Sequence, residues 1–184
     1  MRPSELHSPF DRVDAAVTST LARIGVPVLR IGLGVIFLWF GVLKFVPDLS
    51  PAQELATRTI SALTFGTVGP DVSLPVLAAW ETAIGLGLIS GWFLRATLFL
   101  LAVQMLGTLM PLVLFPGDTF LRFPFAPTLE GQYIIKNVVL IGAAMVVGAT
   151  VRGGRLVADP RAARTAAVVE AVEDDRRDRT SSAG

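Results

Sequence analysis

The sequence predicts an all-α fold: a bundle of four transmembrane helices, with a short amphipathic interfacial helix between the first two and a cytoplasmic helix after the last. Three observations predict it. Of the 184 residues 52% are apolar, and the mean hydropathy is +0.62, which is high for a soluble domain and ordinary for a multi-pass membrane protein. Four apolar runs are each long enough to cross a hydrocarbon core of about 30 Å at a rise of about 1.5 Å per residue. The arginines are also divided unevenly between the connections, as they are when one side of a membrane retains the positive charge.

The elements follow in chain order. Residues 1–25 form an N-terminal segment in which Val13, Val17, Leu21 and Ile24 lie along one side of a weakly amphipathic stretch. Acids and bases mix here, and no small-residue cleavage site follows the first apolar run, so that run reads as an uncleaved signal-anchor. Pro27 separates this segment from the first span or kinks the join. The membrane domain covers 26–152, with spans at about 26–46, 74–94, 96–115 and 133–151. After the first span, Leu55, Ile60 and Leu63 alternate with Glu54, Thr57 and Arg58. This predicts a short surface helix with Pro51 in its first turn. Gly91, Trp92 and Arg95 mark a tight turn between the second and third spans. Trp92 fits an interfacial belt, whereas Trp39 and Trp80 are expected to pack inside the bundle. The next connection holds Pro116, Pro124 and Pro127, which block helix, and Phe120, Phe123 and Phe125, which need an apolar surface. A lid folded back on the mouth of the bundle would provide one. Residues 153–184 are read as a cytoplasmic helix opening at Asp159–Pro160, followed by a disordered tail.

Arg2, Arg12 and Arg23 precede the first span, Arg95 sits in the short middle turn, and Arg152, Arg155, Arg161 and Arg164 follow the last. The two longer connections carry only Arg58 and Arg122. Four spans place all three arginine-rich regions on one side, so both termini are expected in the cytoplasm of a cell whose plasma or inner membrane holds the protein.

Composition excludes several chemistries. There is no cysteine, hence no disulfide, thiolate or iron–sulfur chemistry in this chain. The single histidine, His7, rules out a haem held by paired histidines and a histidine-rich metal site, so no metal is expected. A net charge of +1 offers no field for nucleic acid. No nucleophile–base pair is legible, and catalytic residues stay unassigned.

What remains is a set of polar groups within apolar sequence. The only lysines, Lys44 and Lys136, and the acid Glu81 all lie in spans. Such a charge at the centre of a transmembrane helix costs roughly 2.5–3.5 kcal/mol on insertion scales and tends to face a partner, a cavity or a ligand. The expected topology puts all three in the outer half, with Glu81 roughly 10 Å below the outer start of its helix. Each lysine can snorkel to the interface or bend toward Glu81. Thr97, Gln104, Thr108 and Pro111 share one face of the third span, which is too polar for lipid and is expected to point inward. Gly85, Gly87 and Gly91, with Ala144 and Gly148, offer small surfaces for close helix contact. The candidate binding pocket is therefore Lys44, Glu81, Gln104, Lys136 and Asn137. It would suit a quinone headgroup, a small anion or a lipid headgroup, or a proton path. The plainer alternative is a pair of snorkelling lysines and one carboxylate locked in packing. Arg30 reads as a snorkelling anchor.

The stretches LRIGLGVIFLWFGVLKFVP (29–47), WETAIGLGLISG (80–91) and PTLEGQYIIKN (127–137) together resemble the DoxX-like family of small four-helix membrane proteins. The first is also similar to a related group of reactive-chlorine-resistance membrane proteins. The resemblance implies a four-helix bundle in a prokaryotic inner membrane. The family takes its name from a subunit of a thiosulfate:quinone oxidoreductase, and other members are linked to oxidative-stress complexes. Without cysteine, a direct thiol role is disfavoured, and a quinone site or a docking role remains. The expected function is a non-autonomous subunit of a redox or oxidative-stress-linked membrane complex, at most an accessory to a quinone-linked oxidoreductase. The alternatives are a non-catalytic membrane organiser and, ranked last, a transporter of small solutes or protons. The partners implied are the lipid bilayer, a protein in a membrane complex and a second copy of the chain. No covalently bound cofactor is expected, and a quinone is the candidate ligand.

Overall fold

The structure is a computed structural model that describes residues 9–46, 49–50 and 53–154, together with Leu156 and Thr165. The helix expected from Asp159 onward and the position of Pro51 lie outside the described residues. Two compact units divide the chain, one formed by Pro27–Gly153 and the other by Met1–Val26 with Gly154–Gly184.

Helix assignment begins earlier than expected and is uninterrupted at Pro27: α1 covers Pro9–Leu43. Within the unit that includes Met1–Val26, its described residues leave Val13, Val17, Leu21 and Ile24 exposed as an apolar stripe. Then follow α2 (Gln53–Leu63), α3 (Pro70–Ser90), α4 (Leu94–Leu109), α5 (Pro111–Leu114) and α6 (Pro116–Thr119). A small hairpin, β1 (Phe120–Arg122) and β2 (Ala126–Pro127), leads into α7 (Leu129–Ile135) and α8 (Asn137–Thr150). Four segments are long and apolar enough to cross a membrane: Arg12–Leu43, Pro70–Ser90, Leu94–Leu114 and Leu129–Thr150. The chain is an integral, multi-pass, all-α membrane protein.

Two spans start about one turn before the purely apolar run because their caps lie upstream of it. Extended Gly69 precedes Pro70 at the first helical position, with Asp71 in the first turn, where a missing N–H is harmless and a negative charge favours the helix dipole. Thr128 caps α7 by accepting a hydrogen bond from the Gly131 N–H at 3.1 Å, which satisfies one otherwise orphaned donor.

The core draws equally on the four spans. Leu33 and Phe37 of α1, Ile84 and Leu88 of α3, Leu101 and Met105 of α4, and Ala143 and Val147 of α8 form one buried cluster. Helices α1 and α3 approach closely. A Cβ on Gly41 would stand 2.6 Å from the Thr82 nitrogen, and one on Gly85 would collide with the backbone of Leu38. Small residues permit this contact, and helix association within lipid relies on such packing. Gly87 meets the side chain of Thr97 on α4 in the same way. Gly148 makes only ordinary contact with Leu98.

The bundle end that carries Lys44 has a cap. Helix α2 packs against α3, α4 and α5. Its Arg58 reaches Asp118 of α6 at 2.9 Å and stacks 4.7 Å over the Phe115 ring. Both ionic groups are about half exposed, so the pair contributes at most about 1 kcal/mol. Two expectations are corrected. Trp39 is 66% exposed and faces away from the bundle, whereas Trp80 packs inside and donates its ring N–H to the Leu100 carbonyl at 3.3 Å. The proline-rich connection is a hairpin with exposed phenylalanines. Phe123 and Phe125 occupy its turn and stand 69% and 90% exposed, because a ladder this short puts its turn side chains at the tip.

Candidate functional site

Lys44 follows the last residue of α1, in a turn closed by its own N–H donating to the Gly41 carbonyl. Glu81 is the twelfth of the 21 residues of α3, near mid-helix and deeper than the sequence suggests, because α3 starts at Pro70. Gly41 lets α1 lie against the backbone at Glu81 and Thr82. That proximity brings the end of α1 to the middle of α3.

The Lys44 ammonium donates to Glu81 Oε2 at 2.5 Å and to the Phe40 carbonyl at 3.3 Å. From α4, Gln104 Nε2 donates to the other carboxylate oxygen, Oε1, at 2.9 Å. Lys44 and Glu81 are each only 8% exposed. The three groups form a buried polar cluster shared by three spans, and each carboxylate oxygen has one donor. An ammonium carries three N–H groups and a primary amide carries an acceptor oxygen. Two of the Lys44 donors are used, and the Gln104 carbonyl oxygen has no partner among the described residues. The cluster therefore retains one cationic donor and one neutral acceptor for a further group.

The other expected residues make no hydrogen bond to this cluster among the described residues. Lys136 occupies the break between α7 and α8, is exposed, and holds its ammonium 4.1 Å above the Tyr133 ring. That is the range of a cation–π contact, and Lys136 is not among the groups bonded to Glu81. Asn137, the first residue of α8, is half-buried and makes no side-chain hydrogen bond among the described residues. The inward polar face of α4 is present: Thr97 and Pro111 are buried, and Gln104 and Thr108 are half-buried. The threonines satisfy themselves on the carbonyls one turn back, Phe93 and Gln104. Gln104 is thus the member of this face that hydrogen-bonds to another helix.

Two features escape sequence reasoning. Arg30, expected to snorkel, donates through Nη1 to the Leu88 and Ile89 carbonyls at 2.5 and 3.2 Å. Its guanidinium lies beside Gly91, which takes the left-handed conformation at the C-terminus of α3. A cation there satisfies orphan carbonyls and opposes the negative end of the dipole, so Arg30 caps α3. The hydroxyl of Thr82, beside Gly41, is buried without a hydrogen-bond partner among the described residues. Among the described residues there is no group of histidine, cysteine or carboxylate side chains able to hold a metal.

Neither a curated protein nor a solved structure matches the chain. The DoxX family model matches residues 25–115, a segment that contains Arg30, Lys44, Glu81 and Gln104 and ends before Lys136. With four apolar spans and this match across the first three of them, the chain belongs to the DoxX family.

Proposed function

We propose that this protein is a non-autonomous membrane subunit of a redox or oxidative-stress-linked complex, and that Lys44, Glu81 and Gln104 form the polar end of a site for a quinone or similar carbonyl-bearing ligand. The observation that carries this reading is the ion pair buried between apolar helices. A buried pair is a poor source of stability, since well-packed apolar residues of similar volume often do as well or better by about 1–4 kcal/mol. Its presence therefore calls for a role beyond packing. The free donor on Lys44 and the free acceptor on Gln104 fit a headgroup that alternates between carbonyl and hydroxyl. A bound quinone would supply the electron-accepting chemistry. The chain's own residues would orient its oxygen and hold it out of water. A partner must provide the electrons, because no redox-active side chain is present among cysteines and paired histidines. The arginine distribution supports a cell-membrane placement with both termini cytoplasmic and the Lys44 end outward.

The test is extraction in mild detergent followed by assay of bound quinone, alongside Glu81→Gln. Retained quinone that the variant loses, with reduced quinone-coupled activity of the membranes, is the expected result. Absence of quinone together with unchanged activity in Glu81→Gln ends this reading.

One observation favours a second reading, a membrane organiser without catalysis. Each Glu81 oxygen already has a protein donor, so the cluster can serve as a pin that fixes the register of α1, α3 and α4. Truncation after Arg155 distinguishes the role of the tail: an organiser that docks its partner there loses the complex while its bundle stays folded.

A further inference from the structure

We propose that the hairpin between the third and fourth spans is a membrane foot, whose apolar tip inserts among the lipid headgroups and upper acyl chains of the bilayer. The hairpin is apolar where it is most exposed: Leu121 is 77%, Phe123 69% and Phe125 90% exposed. It is firmly held where it joins the bundle. Thr119 is fully buried, its carbonyl accepts from the Thr128 N–H at 2.9 Å, and the Thr128 hydroxyl donates to the Asp118 carbonyl at 2.7 Å. Gly131 packs so tightly against the Thr119 carbonyl that no side chain would fit. A fixed base thus presents three large apolar side chains that nothing in the bundle covers.

The occupant follows from position. Both ends of the hairpin continue within a few residues into spans, Leu94–Leu114 before it and Leu129–Thr150 after it. The base of the hairpin consequently stands at the ends of two spans, within reach of the lipid headgroups. Within the same five residues Arg122 is exposed, and an arginine next to buried apolar groups can rest its stem on them and its guanidinium on headgroup phosphates. Aromatic groups flanked by a cation are the composition of interfacial anchors. The exposed Phe99, Val103 and Leu106 of α4 show the same apolar character on the span that leads into it.

The chain has no cysteine, so single-cysteine variants report without background. Phe125→Cys and Leu121→Cys, each carrying an environment-sensitive fluorophore, are reconstituted in vesicles of phosphatidylcholine and phosphatidylglycerol. Quenching by nitroxide lipids is compared with quenching by iodide present on both sides. The expected result is that lipid-borne nitroxides remove most of the emission at both positions, and iodide quenches far less than it quenches free dye. Strong iodide quenching with little nitroxide quenching would place the tip in water and overturn the proposal. Protection from both quenchers would mean that protein covers the tip, as a lid or a second copy would, and also overturns it. Two labelled positions guard against one variant failing to fold, and both are far from Lys44, Glu81 and Gln104 in sequence.

Discussion

Two cations of α1 and its terminal turn, the half-buried Arg30 and the buried Lys44, face α3, and they do different things there. Arg30 binds backbone carbonyls at the end of α3. Fourteen residues on, Lys44 binds a side-chain carboxylate at its middle. The Arg30 acceptors are fixed, since every helix end presents unsatisfied carbonyls. The guanidinium, always charged and geometrically rigid, meets a need that exists in any α3. The Lys44 acceptor exists only because residue 81 is a glutamate, and Gln104 reaches it as well. A cap completes a helix, whereas an ion pair in apolar surroundings must be justified by what it does. On this difference Arg30 serves architecture, and the Lys44 cluster is the part for which we propose a function.

The largest expected effect breaks the second region alone. Lys44→Met strands a buried carboxylate and is expected to cost about 3–5 kcal/mol, read as a lower unfolding temperature in detergent. Adding Glu81→Leu to it should recover most of that loss, because the pair then leaves together. At the other end, Arg30→Leu leaves the α3 carbonyls short of a donor and is expected to cost about 2–3 kcal/mol. Arg30→Lys should restore part of it, and no second substitution can rescue it, because the acceptors are backbone. A second-site rescue in an unfolding assay would erase the distinction between the two cations. Gln104→Leu removes one hydrogen bond to a charged group, for about 1.5 kcal/mol. Lys136→Met, at an exposed position over Tyr133, should change stability by no more than about 0.5 kcal/mol and leave ligand retention as it was. A clear loss of bound ligand in that variant would return Lys136 to the site.

The spans were legible because length in apolar residues is a physical requirement of the bilayer, and no other feature of the chain imitates it. Lys44 and Glu81 were legible for a related reason, since opposite charges buried in neighbouring spans have few other partners. Gln104 followed from helical periodicity, which placed it with Thr97 and Thr108 on an inward face. Lys136, by contrast, is not bonded to Glu81. The break at residue 136 between α7 and α8 lets a local ring, three residues back, take the ammonium. The sequence suggests a snorkelling anchor at Arg30 because a backbone carbonyl acceptor leaves no mark in sequence, although Gly91, Trp92 and Arg95 do mark the helix end it caps. The hairpin was missed because strands of three and two residues are too short to show a period of two. The expectation that Trp39 packs inside fails because lipid accepts a large apolar ring as readily as a core does.

In the proposed function the Lys44–Glu81 pair serves a ligand, and packing can do without it. The most direct test of that role is the bound-quinone content of the doubly substituted protein, Lys44→Met with Glu81→Leu, purified beside the unsubstituted chain. Both are expected to be folded and monodisperse, with melting temperatures close together, and only the unsubstituted chain is expected to retain quinone. Equal quinone in the two, or none in either, would contradict that role.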